Sequence, residues 1–202
     1  WREAAGRSLP NGVTAPDAYR SLEFDLSALQ AELARNGGGV GMTLALPKPD
    51  GGSVDFMLSD SGTLPAELAA KYPLIRSFLG VDSHGRRARI DVSPLGLNAM
   101  VFDRENIWVV RPVEFGEGAD YLSFRREDAS NGHELFFCGT HEDARPGPLM
   151  PEAITTTTGT TKRGYRAAVA ANHNYVTAIS GASTPTVALG LAAVTLAMNR
   201  VN

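Results

Sequence analysis

The residues best suited to chemistry lie in one stretch, "HELFFCGTHED", residues 133–143, which holds the chain's single cysteine, Cys138, between His133 and His141. One thiol cannot close an intramolecular disulfide. Behind Phe136 and Phe137, Cys138 reads either as a small buried hydrophobe in a strand or as a metal ligand. A local zinc site drawn from Cys138, His141 and Asp143 falls far short of a structural zinc spacing, because no second Cys or His pair accompanies it. His84, in "DSHGRR", reads as a turn residue beside Gly85, and His173, in "AANHNY", as loop surface. Glu23, Asp25, Glu32 and Asp60 show no pairing that marks an acid/base couple. "NGGGVG", residues 36–41, follows a helix and precedes a strand, the wrong order for a dinucleotide cradle. No nucleophile and base stand at a spacing that points to an independent hydrolase.

The elements that must position these residues change character along the chain. Asp25 is a plausible N-cap for a short amphipathic helix carrying Leu26, Leu29 and Leu33, which stops at Gly37 to Gly39. Val40, Met42, Leu44 and Leu46 alternate before the turn Pro49-Asp50-Gly51-Gly52, and Val54, Phe56 and Leu58 alternate after it. That pattern makes a β-hairpin with one buried face. Pro65 and Pro73 bracket a second, two-turn helix. "RRARIDV", "GLNAMVF", "NIWVVRPV", "DYLSFRRED" and "HELFFCG" are short Val-, Ile- and aromatic-rich segments separated by turn residues. Residues 1–144 thus read as a mostly antiparallel β domain with two short helices.

Residues 145–163, "RPGPLMPEAITTTTGTTKR", read as a Pro/Thr-rich linker that ends in the dibasic pair Lys162-Arg163. Flexible polar linkers are where proteolytic nicking concentrates, so this pair is a candidate processing site, although an accidental basic pair is an equal reading. Beyond it, "RGYRAAVAA" has the continuous apolar run of a strand covered on both faces. A helix then starts at Ser183 or Thr184 with Pro185 near its first position. Its apolar stripe is Val187, Leu191, Val194, Met198 and Val201, and its opposite side carries Leu189, Ala193 and Leu196, so it calls for burial nearly all round. A strand and a helix in about 40 residues are too few to enclose a core, so the chain is expected to end inside a domain.

The composition excludes some partners. A formal net charge of -3 with no Lys/Arg block gives no footprint for nucleic acid or for a membrane surface. No stretch approaches the roughly 18 to 20 apolar residues of a membrane span. A single cysteine suits a reducing compartment or a secreted protein without disulfides. The chain opens at "WREAAG" without Met, so a targeting segment is expected to have been removed or to lie outside the sequence.

"YRAAVAAN" followed by a helix ending in "MNRVN" resembles the start of the catalytic domain in reprolysin-type (adamalysin-like, metzincin) zinc metallopeptidases, particularly secreted bacterial members. "LALPKPDGGSVDFML", "LAAKYPLIRSFLGV" and "DVSPLGLNAMV" are similar to the propeptide region of the same proteins. The resemblance implies an α+β chain in three parts: a β-rich propeptide domain over 1–144, a linker over 145–163, and the first strand and helix of a metzincin α/β catalytic domain over 164–202. It also implies an extracellular zinc endopeptidase acting on proteins or peptides, with the remainder of the catalytic domain as the chain's partner. The family's zinc motif, His-Glu-x-x-His-x-x-Gly-x-x-His, is missing: His133-Glu134 begins it, but Phe137 stands where the second histidine belongs. The chain is therefore expected to be inactive alone. In such zymogens a propeptide Cys-Gly pair occupies the open position on the zinc, and Cys138-Gly139 matches that pair. On this reading Cys138 is an inhibitory ligand to zinc held elsewhere. The alternative is a stand-alone β-rich extracellular binding or adhesion module.

Overall fold

The alternating runs pair in sequence into one antiparallel sheet. The computed structural model describes residues 1–4, 9–10, 13–104, 106–116, 118–129 and 168–201. The strands are β1 (Arg2–Glu3), β2 (Arg20–Glu23), β3 (Thr43–Pro47), β4 (Ser53–Asp60), β5 (Arg76–Val81), β6 (Arg87–Ser93), β7 (Gly96–Asp103), β8 (Asn106–Pro112) and β9 (Asp120–Arg125). Their order is β1-β2-β9-β8-β7-β6-β5-β4-β3, and every neighbour is antiparallel. The expected hairpin is β3–β4, with Pro47 opposite Ser53 and Gly51 and Gly52 at positive φ in its turn. "HELFFCG", read as a further strand, lies outside the described residues.

The sheet curls into a half-barrel because side chains from one end reach the other. Arg20 of β2 donates to the carbonyls of Lys48 (2.9 Å) and Gly52 (2.8 Å), and Ser123 of β9 donates to that of Pro47 (2.9 Å). Trp1 donates through Nε1 to the carbonyl of Ala45 (2.7 Å) and stacks on Phe24 at 4.1 Å. Inside the curl lies the main core, which includes Leu46, Phe56, Phe78, Ile90, Val101, Val110 and Tyr121. Helix α1 (Leu26–Arg35) buries Leu26, Leu29 and Leu33 against this core, and Asp25 caps it by accepting from the Ala28 amide at 2.8 Å. Burying three leucines contributes roughly 1.5–3 kcal/mol each. Helix α2 (Ala66–Lys71) starts after Pro65, as its proline bracket implies.

The strands β6 and β7 are buried on both faces, so the sheet's other face is covered too. Two helices contribute on that side: α3 (His173–Ser180) packs against α4 (Val187–Val201), and α4 lies on β6 and β5. Ala192, Ala193, Leu196, Ile75 and Leu95 are buried at this junction. The expectation of a doubly covered strand after Arg163 is corrected where it can be seen. Residues 168–171 are exposed and carry no strand, and Asn172 then turns the chain into α3 by accepting from the Tyr175 amide at 2.8 Å. A strand needs a ladder partner, and among the described residues none pairs with this stretch. Trp1–Ser130 and Ala170–Asn202 form one compact unit, so α3 and α4 pack with the sheet; the expected boundaries at 144 and 163 lie outside the described residues. Of the second unit, Asn131–Val169, only residues 168 and 169 are described.

Candidate functional site

The polar residues that the fold gathers most closely lie under α4. Ser77 of β5, Asp91 of β6 and Asn98 of β7 are successive register partners, so their side chains share one row and one face of the sheet. Arg111 of β8 continues the row, one residue past the Ala99–Val110 pair. Asn199 of α4 lowers its amide into this row and is wholly buried. Its Nδ2 donates to Asp91 Oδ2 (3.1 Å) and to the Ile90 carbonyl (3.4 Å), while its Oδ1 accepts from the Thr63 hydroxyl (3.2 Å). Ser61 donates in turn to Thr63 at 2.9 Å, and Ser77 donates to Asp91 Oδ1. A hydrogen-bonded chain therefore runs from the loop after β4, through the helix, to a carboxylate inside the sheet.

Asp91 is 4% exposed. Burial drives its pKa up to about 6, against the opposing pull of the Ser77 and Asn199 hydrogen bonds and of the Arg200 and Arg89 charges. Burial lowers Arg200, with Asp91 working against that shift, and it lowers Arg111 as well. Asn98, opposite Asp91, is buried with neither its amide nitrogen nor its oxygen hydrogen-bonded to protein. The arrangement can hold a helix and store a proton.

A second feature is the turn after β5. Asp82 Oδ1 accepts from the His84 and Arg86 amides (2.9 and 2.7 Å), and Arg86 Nε donates to Asp82 Oδ2 at 2.6 Å. Burial would raise the Asp82 pKa, but these hydrogen bonds outweigh it and hold the carboxyl below the usual range. His84 thus sits in a turn, as read from sequence, and beside it an open groove of about 710 Å³ runs past Phe102, Asp103 and Arg104.

The other candidate residues take structural positions. Asp25 is the α1 cap, Glu32 pairs with Arg35 at 2.6 Å, and Asp60 accepts from the Gly62 amide at 2.6 Å. Glu23 lies in β2. His173 is exposed but opens α3, where a loop was expected. The glycines of "NGGGVG" join α1 to β3, and a Cβ on Gly39 would stand 2.2 Å from Leu33 Cδ2, so they serve a tight packing turn. Cys138, His133, His141, Asp143, Lys162 and Arg163 lie outside the described residues. Among the described residues no three His, Cys, Asp or Glu side chains converge on a common point, and none of the described helices is long and apolar enough to cross a membrane.

The sequence reading passed over Asp91, Asn98 and Asn199. Their signal was a polar residue set within otherwise apolar runs, "ARIDV", "GLNAMV" and "LAMNRV". Comparison with family models, with curated proteins and with solved structures finds no match to this chain.

Proposed function

We propose that this chain is the propeptide region of a secreted zinc metalloendopeptidase together with the opening helix of its catalytic domain, and that it keeps the protease latent and assists its folding. The observation that carries this reading is the partial seating of α4. The sheet takes the side bearing Ala192, Ala193, Leu196 and Asn199, while Val187 and Val201, the ends of the apolar stripe, are 76% and 78% exposed. Val194 and Met198 between them are half-buried, and Leu191 packs with Leu189 on the cluster of Ile75 and Leu95. A helix seated on a sheet along one side, with apolar residues exposed at both of its ends, suits an element held by a propeptide sheet until the rest of an enzyme closes over it. The exposed run at 168–171, whose sequence resembles the enzyme's first strand, fits the same account, since its ladder partner would come with that remainder.

Latency is assigned to Cys138, whose thiolate would take the position at which a water is otherwise activated on zinc. The zinc belongs to the remainder of the catalytic domain: with Phe137 in place of a histidine, this chain's own residues do not fit a catalytic zinc. Lys162-Arg163 is the proposed point of processing, and proteins or peptides are the proposed substrates of the mature enzyme. The alternative, an extracellular binding or adhesion module without activity, is favoured by the seating of Asn199 in the chain's own sheet.

The test is Cys138→Ser in the complete gene product. Hydrolysis of a quenched peptide should rise tenfold or more over the latent wild type, at unchanged zinc content and sensitive to chelator. Unchanged latency in a properly folded, zinc-loaded variant would remove the cysteine from the account.

A further inference from the structure

The junction between α4 and the sheet contains a carboxylate where a purely apolar contact would have served. We propose that Asp91 is a proton-operated latch: protonated, it holds α4 on the sheet, and ionised, it loosens the helix. The inference rests on the packing of α4 and on the groups around Asp91, and it stands whether or not the chain belongs to a protease.

Three observations converge on it. First, Asp91 is almost completely buried, yet no cation contacts it: Arg200 and Arg89 act on it through charge alone, and among the described residues it has no ion pair within 4.0 Å. Burial without an ion pair favours the neutral form of a carboxyl, and here it outweighs the hydrogen bonds donated by Ser77 and Asn199, which favour the ionised one. Second, a partner for the acid proton stands in place. Asn98 is the register partner of Asp91, and neither its buried Oδ1 nor its buried Nδ2 has a hydrogen-bond partner; the carboxamide stands in the same row of the sheet, where its Oδ1 could accept from a protonated Asp91. Third, the lid over Asp91 is α4 itself, through Asn199, so displacing the helix restores water to the carboxylate.

The groups facing the junction can be enumerated by element. β5 gives Ser77, β6 gives Arg89, β7 gives Asn98, and α4 gives Asn199 and Arg200. Arg111 of β8 and Tyr175 of α3 act on Arg200, and Thr63 acts on Asn199. Among the described residues facing the junction, Asp91 is the one carboxylic acid. His173, at the start of α3, serves as the control.

The sign follows from the docked pKa of about 6 against an ordinary 3.8. The docked state binds the proton more tightly, so docking is strongest below the ordinary value. It weakens as pH rises through 6 and is level above that. The opening equilibrium of α4 should therefore increase on the order of a hundredfold between pH 4 and pH 7.5.

Hydrogen exchange of the α4 amides in the 202-residue chain, corrected for intrinsic rates, reads this directly. Wild type should lose protection with a midpoint near pH 6, while sheet amides of β7 and β8 stay protected. Asp91→Asn should keep α4 protected across the whole range. Should that variant fail to fold, Ser77→Ala provides the second arm: without the hydroxyl that favours the ionised form, the midpoint should move upward. Three results would overturn the latch: α4 protection that is flat with pH, a midpoint unmoved in Ser77→Ala, or a pH dependence that vanishes in His173→Gln.

Discussion

At Asn199 one amide does the work of several apolar contacts. It satisfies Thr63, the Ile90 carbonyl and one oxygen of Asp91 at once, so removing it leaves a half-buried hydroxyl and a buried carboxylate short of partners. Asn199→Ala should lower stability by about 1–3 kcal/mol in urea denaturation monitored by circular dichroism. Asn199→Leu, which fills the space but offers no donor, should rescue none of it. Trp1 makes a comparable case at the other end of the sheet, through its bond to Ala45 and its packing on Phe24 and Tyr121. Trp1→Ala should lower stability by about 2 kcal/mol, given that the ring is only partly buried. Of these groups, the sequence disclosed the Asp25 cap and the His84 turn, because each is set by a few adjacent residues. Asp91 and Asn199 were not disclosed, because their partners lie far away in the chain and only the register of β5, β6 and β7 brings them together.

Elements were legible where their period was clean. The hairpin of β3 and β4, the strands β6 to β9 and the helices α1, α2 and α4 follow from alternation, caps and prolines in the sequence. Strand β5 was missed for a physical reason: Gly80 occupies an inward position, which breaks the apolar alternation of "RSFLGV". A Cβ there would meet Ile90 Cδ1 and Phe56 Cβ at 3.0 Å, closer than side chains usually pack. Gly80→Val should therefore destabilise by about 1–3 kcal/mol, read as a lower midpoint at unchanged denaturant slope. Asp25→Ala should cost about 1 kcal/mol through loss of the α1 cap, by the same measurement. The run at 168–171 misled because a continuous apolar stretch specifies burial without naming a partner, and a strand exists only with one. The side on which α4 would be seated was likewise beyond the pattern. The helix is apolar nearly all round, and the seated side is the one bearing Ala192, Ala193, Thr195, Leu196 and Asn199.

At the scale of the molecule, a curled antiparallel sheet carries one core inside its curl and a second contact surface outside, and α4 occupies part of that outer surface. An α+β chain dominated by an antiparallel sheet was readable from strand-length segments at regular spacing. The packing of α3 and α4 on that sheet was not, because composition shifts at a linker whichever unit the following helix joins. The chemistry read from Cys138, Lys162 and Arg163 belongs to a stretch outside the described residues, so it rests on the resemblance. The proposed function is most directly tested by peptide hydrolysis in the complete gene product before and after nicking at Lys162-Arg163. The account predicts latency before nicking and chelator-sensitive hydrolysis after it. Hydrolysis of equal rate in both states, or none from the nicked, zinc-loaded protein, would contradict it.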